Sequence, residues 1–345
     1  MNQAVNKTGN KTENKSGSIK VEPVPAKSVP MDMLKKAVQS EKSGLILALV
    51  IMIIVFSILT GNKYFSTDNI INIFISSSIV GLVTIGEGYL LIGGQVDLSP
   101  GSVAAFSGVL FSLLLSAGIS MWLALPIVII AGMVIGMVNA TLVNKLKLEP
   151  FIATLASMSI FRGLAHIICG GKAVFITDRH FLKLGVGRVA GIPIPVIIFL
   201  ALFILFGVVL ARTKFGRSVY MVGGNAAASR LAGINATKVK MKLYMLTSAL
   251  AALGGCILAS RMSSGQPTAS EGLEFDAVTA AVLGGITMSG GIGGLGGALI
   301  GLLIMQGFNN GLLMLNVQSF WQIVARGLLL VAALSFDFVR NKKRK

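Results

Sequence analysis

The chain has 345 residues, of which 54% are hydrophobic and only 12% charged, with a mean hydropathy of +0.82. Soluble domains carry about 25% charged residues, so an ordinary cytosolic globular protein is excluded. So is a disulfide scaffold, because the two cysteines, Cys169 and Cys256, lie in apolar stretches and read as free buried thiols, and so is a β-barrel, for want of alternating short strands. The remaining class is all-α and polytopic, with spans of about 20 apolar residues. The formal charge of +17 is then a matter of topology, since Lys and Arg gather in tails and loops without a nucleic-acid motif.

Residues 1–43 are rich in Lys, Asn, Ser and Thr, include Pro23, Pro25 and Pro30, and lack the apolar core of a signal peptide. They read as a disordered cytoplasmic tail. Spans are expected at 44–60, 70–92, 102–118, 121–143, 151–169, 192–211 and 243–260. No charge occurs from Ala277 to Ala325. That tract suits a full or re-entrant eighth helix, a turn near Gly290-Gly291, a ninth span and the start of a tenth that ends near Phe338. About ten transmembrane helices make one membrane domain over 44–338, followed by a basic tail, 339–345.

The loop at 212–242 carries seven Lys or Arg and no acid, whereas 261–276 has one Arg against Glu271, Glu274 and Asp276. The positive-inside rule puts the first inside with both termini and the second outside. The expected outer loop at 170–191, with Lys172, Arg179, Lys183 and Arg188 against Asp178, fits poorly.

No catalytic residues are identified. His166 and His180 form no HExxH, and neither a Gly-x-Ser-x-Gly elbow nor a Walker A sequence is present. His166 and Cys169 have i,i+3 spacing, but two ligands do not make a metal site.

Asn225 is a good N-cap, Ala226, Ala227 and Ala228 start a helix, and Gly233 supplies a left-handed stop. About two turns of helix are therefore expected from Asn225 to Leu231, bearing Arg230. Such a helix can project toward a partner; a plain ordered loop is the other reading.

Laid without gaps, Gly94-Gln95-Val96-Asp97-Leu98-Ser99-Pro100-Gly101 falls over Gly284-Gly285-Ile286-Thr287-Met288-Ser289-Gly290-Gly291. Gly-interrupted segments at corresponding positions of two halves point to a substrate pathway; small residues for close helix packing are the competing explanation. Asp97 is read as capping the helix that starts at Pro100-Gly101, in preference to binding a solute.

An ionisable group at mid-bilayer costs about 3 kcal/mol, so Glu87, Arg162 and Arg326 need partners or a wet cavity, and either Arg is a possible counter-charge for Glu87. Asp337 is expected near the inner interface, solvated or paired with Arg340.

The run Gly224-Asn225-Ala226-Ala227-Ala228-Ser229-Arg230-Leu231-Ala232-Gly233-Ile234 resembles the coupling loop of ribose-type ATP-binding-cassette sugar permeases. The resemblance covers roughly 45–338 and includes Val96-Asp97-Leu98-Ser99-Pro100-Gly101, Pro150-Phe151-Ile152-Ala153-Thr154-Leu155, Arg162-Gly163, Ser263-Ser264-Gly265-Gln266-Pro267, Val282-Leu283-Gly284-Gly285 and Asn309-Asn310-Gly311-Leu312. It departs from the family's pattern at Ala226, commonly Glu, and at Gly94-Gln95, commonly a Gly pair.

The resemblance implies a permease subunit in a bacterial plasma (inner) membrane, importing a ribose-like monosaccharide. It also implies two such subunits, identical or not, with an ATP-binding cassette subunit inside and an extracytoplasmic sugar-binding protein outside. ATP and Mg then belong to the ATPase, and this chain binds no cofactor. The path is expected to be weakly polar. An ion-coupled secondary transporter or channel is the alternative, and a membrane enzyme a more distant one.

Overall fold

The computed structural model describes residues 41–176 and 179–344. Its helices are α1 (Glu41–Leu59), α2 (Thr67–Ile92), α3 (Pro100–Ser116), α4 (Met121–Asn144), α5 (Pro150–Ile168), α6 (Arg179–Val186), α7 (Ile194–Arg212), α8 (Lys214–Gly224), α9 (Ala226–Leu231), α10 (Ala236–Met262), α11 (Leu273–Leu283), α12 (Leu295–Met314) and α13 (Ser319–Arg344). Among the described residues, seven helices are long and apolar enough to cross a membrane: α2, α4, α5, α7, α10, α12 and the Ser319–Val339 part of α13. The apolar stretches Ser43–Leu59 and Pro100–Ser116 are shorter, and α11 has only 11 residues. The protein is thus an all-α polytopic membrane protein, in which seven of the expected ten or so segments have the length of a full span.

α2 and α10 form the centre: 61% and 72% of their apolar windows are buried, against 22%, 22% and 17% for α5, α7 and α13. α10 packs against α2, α3 and α4. Where lipid gives apolar side chains no preference for a protein interior, small residues that let backbones meet become the means of packing. A Cβ on Gly255 would strike the Ala104 carbonyl, and one on Gly136 the Tyr244 carbonyl.

At the bundle end that carries 170–192 and 261–272, β1 (Val174–Phe175) pairs antiparallel with β4 (Ser264–Gly265), and β2 (Arg188–Val189) with β3 (Ile192–Pro193). α6 is held there by the Ser260 hydroxyl, which donates to the Phe181 carbonyl at 2.7 Å and accepts from the Gly185 N–H at 2.7 Å.

Several expectations shift. The region 212–242 is helix rather than loop through most of its length, and α10 begins at Ala236. The expected tail at 1–43 lies outside the described residues except at 41–43, where the backbone is already helical. The basic run at 339–344 continues the backbone of α13.

Candidate functional site

Both Gly-rich tracts interrupt helices, and they do so with the same turn. After α2, the Gly94 N–H donates to Leu91 O and the Gln95 N–H to Leu90 O; after α11, the Gly285 N–H donates to Val282 O and the Ile286 N–H to Ala281 O. This double bond pattern ends a helix on a left-handed residue, here Gly94 at φ 68° and Gly285 at φ 93°. Structurally equivalent residues are therefore Gly94 and Gly285. The gapless alignment, which set Gly94 on Gly284, is one residue out of register.

The two breaks meet. The Gly291 N–H donates to the Ile92 carbonyl at 2.8 Å, and a Cβ on Gly290 would lie 3.0 Å from the Gly94 Cα. The end of α8 enters the same contact: a Cβ on Gly223 would collide with the Ile92 carbonyl, and one on Gly291 would lie 2.7 Å from the Gly224 Cα. Backbone thus rests on backbone where α2, the 284–294 segment and α8 converge. Tyr220, on α8, donates its hydroxyl to the Gly293 carbonyl at 2.8 Å, and burial pushes its phenol above the usual range. Tyr244 donates to the Val96 carbonyl at 3.3 Å on the other side.

From this junction α9 projects outward as expected. Asn225 Oδ1 accepts from the Ala228 N–H at 2.9 Å, and Gly233 stands at φ 76°. Asn225, Ala226, Ala227, Ala228, Arg230 and Leu231 are exposed, Leu231 at 92%, and only Ser229 is buried. A helix of 6 residues with an exposed apolar tip has no stability of its own; its anchor is the junction beneath it.

Asp97 is fully buried and accepts from Ser99 N–H at 2.8 Å and Ser99 Oγ at 2.6 Å. It therefore folds the backbone ahead of α3 and does not cap α3 itself, whose N-cap residue is Ser99. Asn139 on α4 donates to Ser99 Oγ at 2.9 Å and accepts from the Ser157 hydroxyl, tying α3, α4 and α5. Beyond Ser99, Gly101 lies against the Glu274 carboxylate and the Ser270 carbonyl, leaving no room for a Cβ.

The intramembrane charges do not pair as the sequence suggested. Glu87 is buried, with the backbone of Asp97 beside its carboxyl and the acidic side chains Asp97 and Glu274 as neighbours. Arg162 instead donates to the Pro267 and Ala269 carbonyls at 2.8 and 2.6 Å, clamping the 264–270 segment. Arg326 stands 3.7 Å from Asp276. Asp337 is buried and accepts from the Met288 N–H at 3.3 Å, fastening α13 to the second break instead of facing solvent.

The other expected pathway residues have these surroundings. Ser289 is exposed, its hydroxyl 3.4 Å from Thr287 Oγ1. Gly284 packs on Gly297 and Ala298. Asn310 accepts from Asn69 at 2.9 Å near the start of α2, the far end of that helix from the junction, and Asn309 is its neighbour.

Sequence reasoning missed Tyr220, Gly223, Asn139, Glu274 and Asp276 as parts of this machinery. The last two were read as loop acids, yet they occupy the first turn of α11 and are 3% and 7% exposed. Their position at the start of a long uncharged tract was the available signal. Among the described residues, no cluster of three or more His, Cys, Asp or Glu is placed to hold a metal.

Residues 69–334 match the family described as branched-chain amino acid transport system / permease component. The ribose import permease protein of Bacillus subtilis is 41% identical over 299 residues, covering 86% of this chain and 92% of that protein. The L-arabinose transport system permease protein of Escherichia coli is 37% identical over 305 residues (88% and 93%). The L-arabinose permease protein of Azospirillum brasilense is 36% identical over 304 residues (88% and 89%). No solved structure matches the chain.

Proposed function

The chain belongs to the branched-chain amino acid transport system / permease component family, and from that premise we propose that it is the membrane-spanning permease subunit of an ATP-binding-cassette importer for a ribose-like monosaccharide. The observation that carries this reading is the exposed, capped α9 seated on the junction of both helix breaks. A partner that pushes α9 pushes Gly223 and Gly224 against both broken segments at once. Gly224, Asn225, Ala226, Ala227, Ala228, Arg230, Leu231 and Gly233 are the coupling residues. Gly94, Asp97, Ser99, Gly101, Gly284, Gly285 and Ser289 belong to the breaks that shape the path, with Asn309 and Asn310 bracing α12.

ATP and Mg reside on a separate cassette subunit, a sugar-binding protein delivers substrate outside, and a second permease subunit completes the path in a bacterial plasma membrane. Ten membrane-embedded segments, α1 to α5, α7 and α10 to α13, with α11 and the 284–294 break together making one crossing, bring both termini and the 212–242 region to the cytoplasmic side. One permease domain spans 44–338, between the 1–43 tail and the basic end.

Uptake of labelled D-ribose by cells expressing the chain with its cassette subunit and binding protein tests the function. Thiol labelling of the Leu231→Cys variant, at the exposed tip of α9, tests the orientation. Uptake that depends on all three components, and modification of the introduced thiol only after permeabilisation, are expected. The buried Glu87 favours a second reading, an ion-coupled carrier; solute movement down an ion gradient by the purified chain alone is the result that selects it.

A further inference from the structure

The Arg326 guanidinium, 35% exposed, is only loosely paired inside the membrane domain. Its five N–H donors meet Asp276 through a single N···O separation of 3.7 Å, beyond hydrogen-bonding distance, and its Nε is buried without a partner. Both residues border a cavity of about 430 Å³ between α11 and α13, together with Glu271, Phe275 and Thr279, a volume within the usual range for small-molecule sites.

Each alternative occupant leaves something unpaired. An anion is suited to Arg326 but meets Asp276 and Glu271; a cation suits the carboxylates but meets Arg326; a hydrocarbon leaves all three unserved. A neutral group carrying adjacent hydroxyls accepts from the guanidinium fork and donates to the carboxylate at the same time. Thr279, 1% exposed, gives its proton to the Phe275 carbonyl at 2.6 Å and so fixes the first turns of α11 behind the cavity. The Phe275 ring, 42% exposed, offers an apolar face beside them.

Resting on the transport reading above, we propose that Asp276 and Arg326 form a transit site for vicinal hydroxyls of a neutral sugar, in the cavity between α11 and α13. The site binds weakly by construction: when sugar leaves, the two charges attract each other and recover part of what is lost. That satisfies the need for a path that does not retain its cargo, and it does so with a charged pair where the sequence suggested only weakly polar groups.

The test uses the full-length chain in nanodiscs, with D-ribose as the probe. Saturation-transfer NMR and the protection of Ile323→Cys, an exposed position lining the cavity, from a thiol reagent both report occupancy. Millimolar, saturable binding and slowed labelling are expected in the otherwise unaltered protein. Asp276→Asn and Arg326→Gln should each weaken binding about tenfold, the effect of one charge-assisted hydrogen bond, at unchanged melting temperature. Arg326→Lys keeps the charge and the ion pair but loses the planar fork, so it should fold normally and still bind ribose poorly. Binding by folded Asp276→Asn and Arg326→Lys equal to the parent overturns the site. So does labelling of Ile323→Cys that ribose does not slow, or an importer that takes up ribose while the chain shows no occupancy. An importer that takes up no sugar of any kind instead overturns the transport reading itself.

Discussion

Asn139 serves three groups at once: it donates to Ser99 Oγ and, at 3.5 Å, to Asp97, and accepts from Ser157. Buried polar groups stripped of partners cost about 1–3 kcal/mol, so Asn139→Leu should lower the melting temperature in detergent by several degrees. Gly223→Ala should cost about as much through overpacking and should abolish uptake, because its methyl group enters the space of the Ile92 carbonyl. Gly296→Ala, with nothing near its added methyl, is the control expected to transport normally. At this scale the sequence was legible only in part. Asp97 was recognisable as the residue of a break, but its partner Asn139 is 42 positions away, and an Asn within an apolar helix carries no mark of what it will face.

Among the elements, α9 was legible to the residue because its signals are local: an Asn cap and a left-handed Gly. α8 was not, since Gly216, Gly223 and Gly224 weaken helix propensity, although Thr213 caps it by accepting from the Gly216 N–H at 3.2 Å. Those glycines are there for approach, not for flexibility. The register of the two breaks was missed by one position because matching Ser99 to Ser289 and Gly101 to Gly291 rewards side-chain identity, whereas the backbone turn equates Gly94 with Gly285. If α9 is the docking element, Ala227→Trp holds the surfaces apart and Arg230→Glu reverses its charge. Each should abolish sugar uptake and transport-stimulated ATP hydrolysis while leaving the amount of permease in the membrane unchanged, as measured by quantitative blotting beside the transport assay.

Across the whole molecule, α5 and α13 are long, largely unburied, and each bears an arginine followed by a glycine, Arg162-Gly163 and Arg326-Gly327. Neither glycine has any atom within 4 Å of an added Cβ. Charged helices are not suited to lipid, and small residues favour helix contact, so these two faces are where a second permease subunit should sit. Gly163→Trp or Gly327→Trp should shift the purified protein from dimer to monomer in native mass spectrometry. Gly207→Trp, on the uncharged interior of α7 and equally unobstructed, should not. Hydropathy located most of the spans to within a few residues, because length and apolarity are properties of a segment. It was silent on Asp276 with Arg326 and on Asp337 with Met288, because counter-charges are chosen by tertiary neighbours.

The contact of Gly223 and Gly224 with Ile92, Gly94, Gly290 and Gly291 behaves as a mechanical bearing. Side-chain contacts have slack: a displaced rotamer absorbs part of any push, and an amino acid of similar size restores most of the fit. Peptide planes in direct contact have no torsions to yield and no alternative side chain to substitute, so a sub-ångström stroke arriving along α8 is passed on nearly undiminished in amplitude. The same stiffness leaves little tolerance. Partial phenotypes should be scarce among variants of these six positions, which either preserve the full stroke or disengage it.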